Sequence, residues 1–114
     1  MYRHAAYYAP SQNQLLARLG AQWLGRCALT RCAMEPPRFR VMSPAALRQH
    51  TADASRYGWH ATMKAPFSLK TGLPVAAIPE AFSHFAQAHA AITLPPLVLR
   101  NMGDYLALVP CAPC

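Results

Sequence analysis

Arg56-Tyr57-Gly58-Trp59-His60-Ala61-Thr62-Met63-Lys64-Ala65-Pro66-Phe67 is the stretch on which both fold and chemistry turn. It is read as the body of a strand spanning 57–69, closed by a turn at Thr71-Gly72. In a regular strand His60, Thr62 and Lys64 share one face, while Ala61, Met63 and Ala65 take the other. A proton carrier, a neutral hydrogen-bond donor and a fixed positive charge then follow one another at about 7 Å per step. Those are the groups that capture and cleavage of a phosphate ester require.

Working outward, Arg3–Ala9 is rich in aromatic residues and ends at Pro10, which predicts a first strand and a turn. Ser11 is placed to cap a helix. Leu15, Leu16, Leu19, Trp23 and Leu24 recur at helical spacing up to Gly25, so an amphipathic helix with these side chains in the core is expected. Cys27–Met42, with Pro36-Pro37, reads as a surface loop. Ser43-Pro44 predicts the start of a short helix running to about Ala54. Beyond the central strand, a longer helix is expected over Val75–Ala90, with Ile78, Phe82, Phe85 and Ala86 on one side and Pro79 near its start. Leu97–Arg100 and Tyr105–Val109 form a hairpin around Asn101-Met102-Gly103-Asp104. The order defines an α+β domain, a mostly antiparallel sheet with helices packed on one face.

The 114 residues fit one domain with one core, and 54% hydrophobic against 13% charged residues excludes a disordered chain. No apolar run approaches the roughly 20 residues of a membrane span, and the first residues lack the pattern of a secretion signal. A cytoplasmic location without membrane partners is the expectation. The net charge of +7 favours anionic partners. The arginines are scattered and form no dense nucleic-acid arm, but charge alone does not separate a small phosphorylated substrate from RNA, and a noncatalytic nucleotide- or RNA-binding module stands as the alternative. Cys27-x4-Cys32 and Cys111-Ala-Pro-Cys114 make a poor zinc set, because the first spacing is loose and the last residue is a weak ligand platform. They read as reduced thiols, and no metal or cofactor is expected.

The chain resembles the amino-terminal half of the 2H phosphoesterase superfamily, and within it the DUF1045-type branch associated with phosphonate metabolism. The residues that carry the likeness are Tyr7-Tyr8-Ala9-Pro10, Trp23-Leu24-Gly25-Arg26, the Arg56–Phe67 segment and Leu106-Ala107-Leu108-Val109-Pro110. The resemblance implies one lobe of a two-lobed fold in which each lobe gives a His-x-Thr or His-x-Ser strand to a shared cleft. It also implies metal-independent hydrolysis of a cyclic phosphate or phosphodiester, with a sugar phosphate from carbon–phosphorus bond breakdown as the associated substrate. One histidine takes a proton, the other gives one, and the hydroxyls hold the phosphoryl oxygens.

His60 and Thr62 inherit the catalytic positions, with Lys64, Tyr57 and Trp59 as candidate substrate-binding residues. Tyr7, Arg56 and Arg100 are weaker candidates, and His84 and His89 are expected at the surface or the core edge. No second His-x-Thr or His-x-Ser occurs in residues 1–114, because His4, His50, His84 and His89 lack the pattern. The second lobe is therefore expected to be missing through truncation, with a homodimer or a separately encoded lobe as the other ways to complete the site.

Overall fold

The computed structural model describes residues 2–113. Its elements are β1 (His4–Tyr8), α1 (Leu15–Leu24), α2 (Pro44–His50), α3 (Ala52–Tyr57), β2 (Ala61–Phe67), α4 (Ala77–Ala88), β3 (Leu97–Asn101) and β4 (Leu106–Pro110). This is a mixed α+β chain whose strands pair antiparallel, and they divide between two two-stranded sheets, β1–β2 and β3–β4. The chain forms two compact units, Met1–Lys70 and Thr71–Cys114.

In the first unit, α1 begins later than expected. Ser11 does not cap it; Gln14 is the N-cap, and its side-chain Oε1 accepts from the Ser11 amide at 3.1 Å. Gly25 ends the helix in the left-handed conformation, as its position predicts. Ser43 caps α2 through its hydroxyl, which accepts from the Ala46 amide at 3.1 Å, with Pro44 at the first turn. The single helix expected to reach Ala54 is instead two. The Thr51 hydroxyl donates to the Leu47 carbonyl at 2.9 Å, and this local bond marks the break where α2 ends and α3 begins.

Of the large apolar residues of α1 expected in the core, Leu24 is buried and the others are not. Leu24, Ala21 and Gly20 are buried, whereas Leu15, Leu16, Leu19 and Trp23 remain 36–59% exposed. The reason is a close approach: the Trp59 indole lies where a Cβ on Gly20 would sit, so the helix buries its small-residue face. Trp23 packs edge-on to Phe39 outside this core, with ring centroids 5.8 Å apart. Leu47, 2% exposed, is the most deeply buried large side chain among the described residues.

The central strand is shorter than 57–69. Tyr57 closes α3, Gly58–His60 form the connection, and β2 starts at Ala61. Its pairing with β1 is irregular: His4, Ala6, Tyr7 and Tyr8 lie opposite Phe67, Lys64, Thr62 and Ala61, with register shifts on both sides of Ala6. Pro66 has no amide to give to a ladder, and it sits inside one of these irregular steps. The Arg3 guanidinium reaches the Pro66 carbonyl at 3.3 Å and ties the two strands there.

In the second unit, β3 and β4 pair without a slip from Leu97–Pro110 to Asn101–Leu106, and Gly103 turns the loop at positive φ. The hairpin expected at this position is present. Helix α4 is trimmed to Ala77–Ala88 and closed by His89, whose Nδ1 donates to the Phe85 carbonyl at 2.7 Å. His84 and His89 are exposed, and none of the α4 residues is buried.

Because so few large side chains are fully enclosed, Leu47→Ala should lower stability by about 3 kcal/mol in urea unfolding. Leu29→Ala, at a site 67% exposed, should change it by less than about 0.5 kcal/mol. Equal effects would show that the core is elsewhere.

Candidate functional site

The site is built on the turn that carries the chain from α3 into β2. Gly58 has φ 79° and ψ 177°, a combination essentially confined to glycine, and it is buried. The Ala28 methyl occupies the place a Cβ on Gly58 would need. Arg26 holds the approach to this turn. Its Nη1 donates to the carbonyls of Ser55 at 3.0 Å and Arg56 at 3.3 Å, two of the groups that a helix end leaves without partners.

The Gly58 carbonyl then orients His60. It lies 2.8 Å from His60 Nδ1, and since a carbonyl only accepts, Nδ1 carries the proton. Nε2 is left as the ring nitrogen open to a second partner, and the Thr62 hydroxyl is 3.3 Å from it. The Tyr7 ring stands 4.0 Å from the imidazole, centroid to centroid, tilted by 34°. Tyr57 is farther, at 6.4 Å. His60 is half-buried and Thr62 exposed, so the pair faces outward from a supported base.

The structure therefore brings His60, Thr62 and Tyr7 together, with Tyr57 at the edge. Trp59 turns to α1 and lies on Gly20, lining a hollow of about 280 Å³ with Pro10, Gln12, Arg18 and Cys27. Lys64 is exposed on β2, opposite Ala6. The register shift between Ala6 and Tyr7 interrupts the alternation that places Thr62 and Lys64 on one face of a regular strand. A second hollow, about 470 Å³, is lined by Arg38–Pro44 and contains neither His60 nor Thr62. Among the described residues no group of three or more His, Cys, Asp or Glu is arranged to hold a metal ion.

Tyr7 is a weak candidate from the sequence alone, and no sequence pattern gives Arg26 or Ala28 a role in the site. Tyr7 reaches His60 only because β1 pairs with β2 in a register that puts it opposite Thr62. Arg26 and Ala28 act on backbone atoms some thirty residues away, and no local pattern announces such contacts.

The family described as Protein of unknown function (DUF1045) matches residues 62–114, so the match opens at Thr62. A ribose 1,5-bisphosphate phosphokinase PhnN from Janthinobacterium sp. (strain Marseille) is 35% identical over 108 residues, covering 95% of this chain and 24% of that protein. The protein of the same name from Laribacter hongkongensis (strain HLHK9) is 39% identical over 104 residues, covering 89% of this chain and 24% of that protein. The chain thus spans about a quarter of the length of these curated relatives. No solved structure matches.

The kinase name directs attention to phosphate-binding loops. Gly20-Ala21-Gln22-Trp23-Leu24-Gly25-Arg26-Cys27 has the glycine spacing of a P-loop, but Arg26 and Cys27 replace its Lys and Ser/Thr. Gly20–Leu24 are also helical, with Gly25 as the C-cap, so their amides are not splayed into an anion cradle.

The Gly58 carbonyl is expected to dictate the imidazole tautomer. Nitrogen-15 NMR of the neutral ring should report His60 protonated on Nδ1. Gly58→Ala, which adds a methyl against Ala28 at a glycine-only backbone conformation, should lose that tautomer and about 1–3 kcal/mol of stability. An unchanged tautomer and stability would overturn the orienting role.

Proposed function

We propose that this chain contributes one half of a 2H-type phosphoesterase site, acting without metal on a small cyclic phosphate or phosphodiester. The observation that carries the reading is the imidazole of His60, fixed through Nδ1 on Gly58 and presenting Nε2 beside the Thr62 hydroxyl. The DUF1045 match and the PhnN name of both relatives link the chain to phosphonate metabolism. That association favours a ribose phosphate as the substrate class.

In the proposed reaction, His60 Nε2 exchanges a proton with an oxygen on one side of phosphorus. A second histidine, supplied by the rest of a longer protein, a separate lobe or another copy of the chain, serves the oxygen on the other side. Water adds to phosphorus, the ester P–O bond breaks, and the departing oxygen leaves protonated. Thr62 donates to a phosphoryl oxygen, moving its hydroxyl from Nε2 to the substrate. We assign Tyr57 to the substrate's periphery for its exposed ring, whereas Lys64, in a separate stretch of the ladder, adds only a more distant positive charge. Trp59 supports the turn from beneath.

Phosphorus-31 NMR of the purified chain with a ribose cyclic phosphate tests this directly. Turnover is expected to fall roughly 10²–10⁴-fold in His60→Ala, and less in Thr62→Ser than in Thr62→Ala. The same ligand should shift the His60 ring resonances. Activity that survives His60→Ala, or a ligand that leaves both phosphorus and the His60 ring unperturbed, would overturn the reading.

A further inference from the structure

Cys27 and Cys32 stand at the two ends of a tight loop in the first unit. Arg26 and Ala33 form an isolated antiparallel bridge. The Cys27 amide donates to the Cys32 carbonyl at 2.9 Å, and the Met34 amide to the Gly25 carbonyl at 3.0 Å. These two bonds flank the Arg26–Ala33 step, so Cys27 and Cys32 occupy the next opposed positions of the ladder. Opposed residues there are about 4.5–5.5 Å apart between Cα atoms, within the roughly 4.4–6.8 Å that a disulfide spans. Arg31, at φ 60°, turns the chain back immediately before Cys32.

Thr30 bonds twice to Cys32. Its Oγ1 accepts from the Cys32 amide at 3.4 Å, and its carbonyl accepts from the Cys32 thiol at 3.5 Å. The Thr30 hydroxyl and amide, the Leu29 amide and the charge of Arg26 together hold the Cys27 thiol below its ordinary range. Gln12 Nε2 adds a weak bond at 4.0 Å. Cys27 opens into the hollow beside Trp59, which gives a small solute access to the sulfur.

We propose that Cys27 and Cys32 are an oxidisable thiol pair, Cys27 attacking a hydroperoxide and Cys32 resolving it into a disulfide across the loop. The Cys27 thiolate forms an S–O bond to the peroxide as the O–O bond breaks. The departing alkoxide or hydroxide takes up a proton, leaving a sulfenic acid on Cys27. Cys32 sulfur then attacks Cys27 sulfur, the S–S bond forms, the S–O bond breaks, and hydroxide leaves as water with the Cys32 proton. Two electrons pass from the thiol pair to the peroxide. The loop so closed carries Ala28, the residue packed on Gly58, which places this chemistry directly behind the turn that orients His60.

The test uses the full chain with Cys111→Ser and Cys114→Ser, exposed to hydrogen peroxide at neutral pH and analysed by peptide mapping. An intramolecular Cys27–Cys32 bond is expected, with Cys27 alkylated at least about tenfold faster than Cys32 before oxidation. Cys32→Ser should stop at a sulfenic acid that a dimedone probe traps on Cys27, and Cys27→Ser should leave Cys32 reduced. Thr30→Val keeps both sulfurs and should slow Cys27 alkylation several-fold. Bonds only between chains, faster reaction at Cys32, or a Thr30→Val rate equal to the parent's would each overturn the proposal.

Discussion

The contact of Ala28 on Gly58 sets the geometry of everything around His60. Gly58 adopts a backbone conformation that other residues avoid, and it is buried with no space for a side chain. That conformation lets the chain leave α3 and enter β2 within the three residues 58–60. It sends the Trp59 indole onto Gly20 and brings the Gly58 carbonyl back onto His60 Nδ1. Two close approaches at residues without Cβ atoms, Trp59 on Gly20 and Ala28 on Gly58, therefore pack the turn that leads into His60. Arg26 supports the same turn by holding the last carbonyls of α3, a helix of only six residues with little stability of its own.

Several elements were legible because their signals are local. Ser43-Pro44 names a helix start through one hydroxyl and one pyrrolidine ring, and Gly25 names a helix end. Asn101–Asp104 marks the β3–β4 turn for the same kind of reason: the Asn101 side-chain oxygen accepts from the Gly103 amide at 2.9 Å. The burial of α1 was legible only at Leu24, since apolar periodicity weights large side chains whereas this helix otherwise buries Gly20 and Ala21. The start of β2 was misplaced because Tyr57 and Trp59 have strand propensity that the α3 cap and the Gly58 turn override. His60–Thr62 could be picked out as a pair, but what fixes the proton on Nδ1 is a backbone carbonyl, and sequence alone carries no sign of that.

Irregular pairing sets the arrangement of the candidate residues on β2. A regular ladder would space His60, Thr62 and Lys64 evenly along one face. The observed shifts instead keep Thr62 opposite Tyr7, which lies against His60, while Lys64 belongs to a separate stretch of the ladder opposite Ala6. Pro66 and the Arg3 bond to its carbonyl hold the far end of the strand in this form. Strand irregularities often re-aim side chains next to functional sites, and here one separates the imidazole–hydroxyl pair from the lysine.

The charge of the chain overstates what is free for an anion. Net +7 suggests a generally attractive surface, yet Arg26 and Arg3 spend their donors on backbone carbonyls. Arg56 lies 4.0 Å from Asp53 in an exposed pair of small energetic weight. In the proposed reaction, capture of phosphate by this half of the site thus falls to neutral donors first, the Thr62 hydroxyl above all, with Lys64 as a more distant charge. Such a division suits turnover: a hydroxyl releases its anion more readily than a fixed cation, and the imidazole of this half handles the proton on one side of phosphorus. Affinity then has to come from groups beyond these, which is where a second His-x-Thr or His-x-Ser lobe would contribute most.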